Sequence, residues 1–164
     1  MLARLRIHLH GTVFYAVLAL VLLFVPRFAH AAEADDREQA RVLVDRAEAD
    51  DAALELERAV VGYEQALALD PSMPKALRAS ERAKYIRARS EGNAFGPLVM
   101  LERVRRDPAR ASSAKEIDDL VRAADGFPPG LVRVEARVLA AEAYANRLGR
   151  PQDAVPLWRS IAAD

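Results

Sequence analysis

A stripe of basic residues is the most chemically distinctive pattern in the chain. Four cations and one tyrosine follow one another at spacings of three and four residues: Lys75, Arg78, Arg82, Tyr85 and Arg89. These spacings place the five side chains on one face of a helix. Guanidinium groups bind carboxylates through paired hydrogen bonds, and a tyrosine ring beside them offers an apolar shelf. The stripe therefore predicts a binding site for an acidic peptide or a carboxylate end.

A second interpretation of the same stripe is purely structural. The arginines would then lie on a solvated helix face and pair with Glu48, Glu81 or acids further along the chain. An apolar face adjoins the stripe in either case, and it consists of Ala76, Ala79, Ala83 and Ile86.

Other chemistry is limited by residue type. The chain has no cysteine, and its three histidines are His8, His10 and His30. Beyond residue 31 this removes thiolate and imidazole metal ligands, and the usual nucleophile–base triads. Adjacent acids such as Asp118 and Asp119 point about 100° apart on a helix. We expect no metal, no cofactor and no enzymatic activity, with a hydrolase that uses a single glutamate as the remaining enzyme class. The zero net charge argues against nucleic-acid binding.

The first 31 residues have the organisation of a secretory signal peptide. Arg4 and Arg6 precede an unbroken apolar run over residues 13–25, and Ala29 and Ala31 supply the small residues of a cleavage site. The run is shorter than the 17 to 25 or so residues that a membrane span needs. Residues 1–31 are therefore predicted to be a cleaved signal or, alternatively, an uncleaved N-terminal anchor, which would be the only membrane contact.

Residues 32–164 are predicted to form one all-α domain. Hydrophobic residues make up 52% of the chain and aromatics only 6%, which favours helices rich in Ala and Leu. Pro and Gly separate segments of helical periodicity, and no segment alternates with the period of a strand. The first expected helix begins near residue 42. The others are expected at 54–69, at 74–90, in a stretch that ends at 107, and at 112–125, 131–148 and 151–161. The first two could fuse, since the boundary at Asp50-Asp51 is weak.

Two of these helices are expected to bury particular faces. In the 131–148 helix, the residues at spacings of three and four are Leu131, Val134, Val138, Ala141, Ala145 and Leu148. In the last helix the expected buried residues are Ala154, Leu157, Trp158 and Ile161.

The segment 59–71 carries a repeat signature. A small residue, an aromatic, a second small residue and a closing proline stand at Ala59, Tyr63, Ala66 and Pro71, and this pattern resembles the second helix of a tetratricopeptide repeat. The next closing proline, Pro108, follows 37 positions later, close to the family's spacing of about 34. Residues 131–161 resemble a further copy, with Ala154 and Trp158 in the small and aromatic positions. The register between 109 and 130 is unassigned.

The resemblance covers roughly residues 40–164 and implies antiparallel helical hairpins stacked as a short right-handed solenoid. In this family the first helix of each repeat lines a concave groove, and Arg78, Arg82 and Tyr85 match positions that commonly face it. The resemblance implies a protein or peptide partner and a scaffold or adaptor of the cell envelope, periplasmic or anchored in the inner membrane. The alternative is a membrane-anchored oligomerisation module. The last apolar helix has no polar capping helix after it, which predicts a partner, a second copy or further chain on that face.

Overall fold

The computed structural model describes residues 33–162, whose regular structure is entirely helical. Eight α-helices and one 3₁₀ helix (Glu91–Asn93) occur in this range, which contains no strand, so the all-α prediction is confirmed. The α-helices are α1 (33–52), α2 (Leu56–Leu69), α3 (Pro74–Arg87), α4 (Gly96–Arg105), α5 (Pro108–Ala111), α6 (Ala114–Ala124), α7 (Leu131–Asn146) and α8 (Pro151–Ile161). The predicted signal segment, residues 1–31, lies outside the described residues.

A tight turn separates α1 from α2, so the two segments that could have fused are separate helices. Leu54 adopts the left-handed conformation, with φ 64°. Its amide donates to the carbonyl of Asp51 (3.0 Å), and the Glu55 amide donates to the carbonyl of Asp50 (2.8 Å). These two bonds form a Schellman ending, in which carbonyls at the helix end find donors beyond it. The chain reverses here without the glycine that usually occupies this position.

The first two helices approach each other closely where their residues are small. A Cβ atom added to Gly62 would lie 2.8 Å from the Cβ of Ala47, a distance that no side chain tolerates. Ala59, Ala66 and Tyr63 of the repeat signature are all buried. Small residues thus let the backbones meet while the tyrosine ring fills the adjacent space, as close packing requires.

α3 begins at Pro74, which suits the first position of a helix because its missing N–H has no intrahelical acceptor to lose. The predicted apolar face of this helix is confirmed, since Ala76, Ala79, Ala83 and Ile86 are all buried. α3 packs against α2. The charged stripe lies on the adjoining face of α3, so it contacts helices other than α2.

The middle of the chain folds as α4, the single turn α5, and α6. Asp107 caps α5 by accepting from the Ala109 amide (2.9 Å), and Ser113 caps α6 by accepting from the Glu116 amide (3.4 Å). α6 confirms the helix predicted at 112–125. It buries Ile117 and Leu120 and packs against α4 and α7.

α7 and α8 form the predicted hairpin, and the predicted buried residues are confirmed in part: Ala141 and Ala154 are buried, and Leu157 packs against the core. Leu131 is 49% exposed, and the buried residues of α7 instead include Val132, Ala136 and Ala140. α7 packs against α4, α6 and α8, so several neighbours decide which of its residues are covered. In α8, Trp158 was expected in the core and is 43% exposed.

Candidate functional site

Lys75, the first residue of the charged stripe, pairs with α1. Its Nζ lies 2.5 Å from Asp45 Oδ1 and 2.9 Å from Glu48 Oε2. Glu48 is one of the two acids that the structural interpretation of the stripe named. The other, Glu81, instead pairs with Lys84 of its own helix (2.7 Å). The first residue of the stripe therefore already binds the preceding hairpin, through α1.

Arg82 lies at the centre of a denser arrangement that joins three helices. Its Nε donates to Asp51 Oδ2 at the end of α1 (2.8 Å), and its Nη2 donates to Glu102 Oε2 on α4 (3.1 Å). Arg106 reaches the same two carboxylates, through Nη2 to Asp51 Oδ1 (2.7 Å) and Nε to Glu102 Oε2 (2.8 Å). Each carboxylate is thus held between two guanidinium groups.

Tyr85 stacks between two arginines of its own stripe. The guanidinium carbon of Arg82 lies 4.7 Å from the ring centroid and that of Arg89 lies 3.7 Å from it, within the range of cation–π attraction. The Tyr85 hydroxyl lies 3.1 Å from Glu102 Oε1, to which it donates, and it accepts from Arg105 Nη1. The ring and the hydroxyl are therefore both engaged within the protein.

Glu135 extends this arrangement to α7. It accepts from Arg89 Nε (2.8 Å) and from Arg105 Nη2 (2.8 Å), and its other neighbour is the Tyr85 hydroxyl (3.4 Å). The network now includes α1, α3, α4 and α7. We call it the central cluster, and its members are Asp51, Arg82, Tyr85, Arg89, Glu102, Arg105, Arg106 and Glu135.

The central carboxylates are largely shielded from water, with 5% of the Glu102 side chain and 13% of the Asp51 side chain exposed. Burial acts to raise the pKa of Asp51, but hydrogen bonds from Arg82 and Arg106 outweigh it and hold that pKa below its usual value. Burial likewise acts to raise the pKa of Glu102, and the Arg106 hydrogen bond leads the interactions that lower it overall. The pKa of Glu135 is lowered in the same way, against its burial, by Arg89 and Arg105.

The carboxylates and guanidinium groups of the central cluster are consequently ionised near neutral pH. It combines three carboxylates with four guanidinium groups, so one positive charge is in excess. A general acid needs a carboxyl pKa raised toward the working pH, and these pKa values move in the opposite direction. The arrangement therefore supports the electrostatic attraction of anions, since none of its carboxyl groups holds a proton near neutral pH.

Arg78 differs from its neighbours in the stripe. It is exposed, and within residues 33–162 it has no ion-pair partner, whereas Lys75, Arg82 and Arg89 all have one. Leu77 beside it is 49% exposed. Of the four stripe cations, Arg78 is the one that the fold leaves available to a partner.

Sequence reasoning identified the stripe but missed three members of the central cluster on α4. Glu102 is the one acid in an otherwise apolar buried face that contains Leu98, Leu101 and Val104. An isolated carboxylate on a buried face must have partners, because burying an unpaired charge is costly. Arg105 and Arg106 follow Glu102 by three and four positions, which is the spacing of ion pairs on a helix. This spacing on α4 could have indicated the cluster, whereas the pattern of α3 alone could not.

Tyr144 of α7 belongs to a smaller arrangement. The Tyr144 hydroxyl donates to Asp118 Oδ1 on α6 (2.6 Å), and Arg150 lies 4.7 Å from the Tyr144 ring centroid. Arg150 also pairs with Asp118 (3.1 Å) and with Asp153 (2.6 Å). Burial, aided by the bond to Asp118, raises the pKa of Tyr144 to about 12. We call Asp118, Tyr144, Arg150 and Asp153 the distal cluster.

The described part of the chain contains no group of three or more potential ligands that could hold a metal ion. Among the helices described, none is long and apolar enough to cross a membrane. No protein-family model, no curated protein and no solved structure matches this chain.

Proposed function

We propose that this chain is an exported helical-repeat scaffold, similar to tetratricopeptide proteins, that holds an acidic protein or peptide partner outside the cytoplasm. The export part of the proposal depends on residues 1–31, with their basic start, apolar run and small-residue cleavage site. The repeat part is supported by the close contact of Ala47 with Gly62 and by the buried Ala59 and Tyr63, which are the contacts that stacked hairpins need.

A scaffold binds well when its surface is rigid before the partner arrives, since less ordering then opposes association. The central cluster supplies such rigidity, because its ion pairs connect α1, α3, α4 and α7 through partly buried groups. Its excess positive charge also favours an acidic partner over a basic one.

The observation that carries the proposal is Arg78. It is exposed and unpaired in the described chain, and it lies on the stripe between Lys75 and Arg82, both of which are engaged internally. A carboxylate of the partner would pair with Arg78, the one cation of the stripe that has no ion-pair partner within residues 33–162. Leu77 beside it supplies apolar contact.

An enzymatic role is not part of this proposal. The shielded carboxylates of the central cluster are held ionised by arginines, whereas a hydrolase that uses a single glutamate needs a raised pKa.

The test is capture from a cell-envelope extract with the full chain and with Arg78→Glu. We expect recovery of the specific partner to fall at least about tenfold, because a like charge replaces the pairing group. Arg103→Glu is the matched control, since Arg103 on α4 is also exposed and has no ion-pair partner in residues 33–162. Arg82 and Tyr85 are unsuitable probes, because changing them would disturb the central cluster.

Both variants should keep the melting temperature of the native chain, which shows that the fold is intact. Partner recovery with Arg78→Glu equal to that with Arg103→Glu would rule out α3 as the binding face. Recovery that does not decline with added salt would contradict the acidic character of the partner.

A further inference from the structure

A ridge of apolar side chains projects from α8. Val155 is 45% exposed and Trp158 is 43% exposed, and their spacing of three places them on one face of the helix. Two large apolar side chains side by side form a contiguous apolar surface, which isolated exposed residues do not. We call this pair the α8 ridge. α8 packs against α7, and the ridge lies at the exposed edge of the face that buries Ala154.

A groove of about 360 Å³ lies between α1 and α2. Ala47 and Gly62 meet in its floor, and Leu43 and the 41%-exposed Val61 contribute apolar side chains to it. We call it the α1–α2 groove.

The α1–α2 groove opens on the side of α1 that is turned away from α3. Asp45 and Glu48, the α1 residues that pair with Lys75 of α3, lie on one side of that helix. The groove residues Leu43 and Ala47 lie roughly opposite, because each residue advances the helix by about 100°. No described helix therefore covers this groove in the way that α3 covers the other side of the hairpin.

The charges beside the two surfaces are complementary. Arg159, next to Trp158, is exposed and has no ion-pair partner in residues 33–162. Glu57, at one end of the α1–α2 groove, is exposed and forms no ion pair in that range, and it attracts Arg87 of α3 only through space. The ion pair between Asp50 and Arg58 (3.5 Å) lies at that end too. Arg46, the remaining unpaired charge of the groove, is one helical turn from Asp50, toward the other end.

We propose that the α8 ridge of one copy of this chain docks in the α1–α2 groove of a second copy. Trp158 fills the groove over Ala47 and Gly62, and Arg159 pairs with Glu57. This pairing sets the direction, because it places Gln152 of α8 near Gln65 of α2. The seven residues from 152 to 159 and the eight from 57 to 65 span similar lengths, about 10 to 12 Å.

Such a contact joins two different surfaces, so it is head-to-tail, and repeated it builds rings or open chains. The proposal goes beyond the binding of an acidic partner by α3, because it uses neither Arg78 nor the central cluster. Failure of one proposal leaves the other standing.

Cysteine cross-linking of the full chain tests this directly, since the native sequence has no cysteine. A Gln65→Cys chain is mixed with a Gln152→Cys chain and treated with a short bifunctional maleimide. We expect a cross-linked dimer at about ten times the yield of the matched mixture in which Leu77→Cys replaces Gln152→Cys, because a docked pair has a high effective concentration. Adding Trp158→Ala to the Gln152→Cys chain should lower the yield about tenfold, since aromatic anchors dominate such contacts.

Three results would overturn the proposal. The first is a yield no greater than that of the Leu77→Cys mixture, which would mean that the copies do not associate here. The second is equal cross-linking of the Gln152→Cys chain with itself, which would place α8 against α8. The third is a higher yield from Ala162→Cys than from Gln152→Cys, which would reverse the direction set by Arg159 and Glu57. A Trp158→Ala chain that melts as the native chain does shows that a lost cross-link is not a lost fold.

Discussion

The central and distal clusters are built from the same parts but differ in setting. Each has a tyrosine under a guanidinium group, a carboxylate that accepts from the tyrosine hydroxyl, and further ion pairs around it. In the central cluster the key carboxylate, Glu102, is 5% exposed, and the contacts join four helices. In the distal cluster the carboxylate of Asp118 is 42% exposed, and the contacts join α6, α7 and the start of α8.

This contrast shows that burial, rather than the list of contacts, decides how much such a cluster contributes. An exposed ion pair contributes little to the free energy of unfolding, because water hydrates its two charges whether or not they are paired. A shielded pair attracts more strongly, and it becomes costly when one partner is removed, because the other charge is then left without water or counter-ion. Stability should therefore depend on the central cluster and hardly on the distal one.

Acidification should have the largest effect, because it acts on all three central carboxylates together. The pKa values of Asp51, Glu102 and Glu135 are lowered in the folded state, so each contributes stability that is present above its unfolded pKa of about 4. That stability is lost as the pH falls through the lower folded values. We expect the melting temperature to be level from about pH 7 to 5 and to fall steeply below about pH 4. A melting temperature that is unchanged at pH 3 would contradict the importance of the cluster.

Replacing one central carboxylate should have the next largest effect. Glu102→Gln keeps the shape but removes the buried carboxylate that Arg82, Arg105 and Arg106 share, which leaves Asp51 and Glu135 as their only counter-charges in the cluster. We expect a loss of about 3 kcal/mol in the free energy of unfolding. Glu64→Gln makes the same chemical change in the exposed pair of Glu64 with Arg87 and should cost at most about 1 kcal/mol. Urea unfolding of both variants provides the comparison, and equal losses would show that burial is not the deciding factor.

Removing the two hydroxyls gives the finest comparison, since the change is identical in both clusters. Tyr85→Phe deprives Arg105 of an acceptor and Glu102 of a donor, and it should cost about 1 to 1.5 kcal/mol. Tyr144→Phe leaves Asp118 accessible to water, which replaces the lost donor, and it should cost about 0.5 kcal/mol or less. Thermal unfolding of the two variants measures the difference. A larger loss from Tyr144→Phe would reverse the ranking of the clusters.

Helix faces that the local spacing of apolar residues determines were predictable from the sequence. Ala76, Ala79, Ala83 and Ile86 are buried as expected, and α2 buries Ala59, Tyr63 and Ala66. Pro and Gly marked the ends of helices to within a few residues, because the backbone chemistry of those residues is local. The all-helical class follows from the same local signals.

Faces and contacts that depend on several neighbours were not predictable. α7 packs on three helices, and its covered side differs from the one that the apolar spacing favoured. Glu135, a charged residue of α7, is turned toward α3 and α4, where Arg89 and Arg105 bind it. The stripe on α3 was visible, but its partners on other helices lie 17 to 50 residues away along the chain, and periodicity within one helix carries no information about them.

The turn at Leu54 has a consequence for how the molecule unfolds. The carbonyl of Asp51 accepts from Leu54 to close α1, and it also accepts from Arg106 Nη1 (2.6 Å), while the Asp51 side chain binds Arg82 and Arg106. One residue therefore both ends the first helix and attaches it to α3 and to the end of α4. Stacked hairpins often open one at a time from the ends of an array. Here the first hairpin cannot separate without releasing the arginines at the centre, so its opening and that of the middle of the molecule are expected to be one cooperative event.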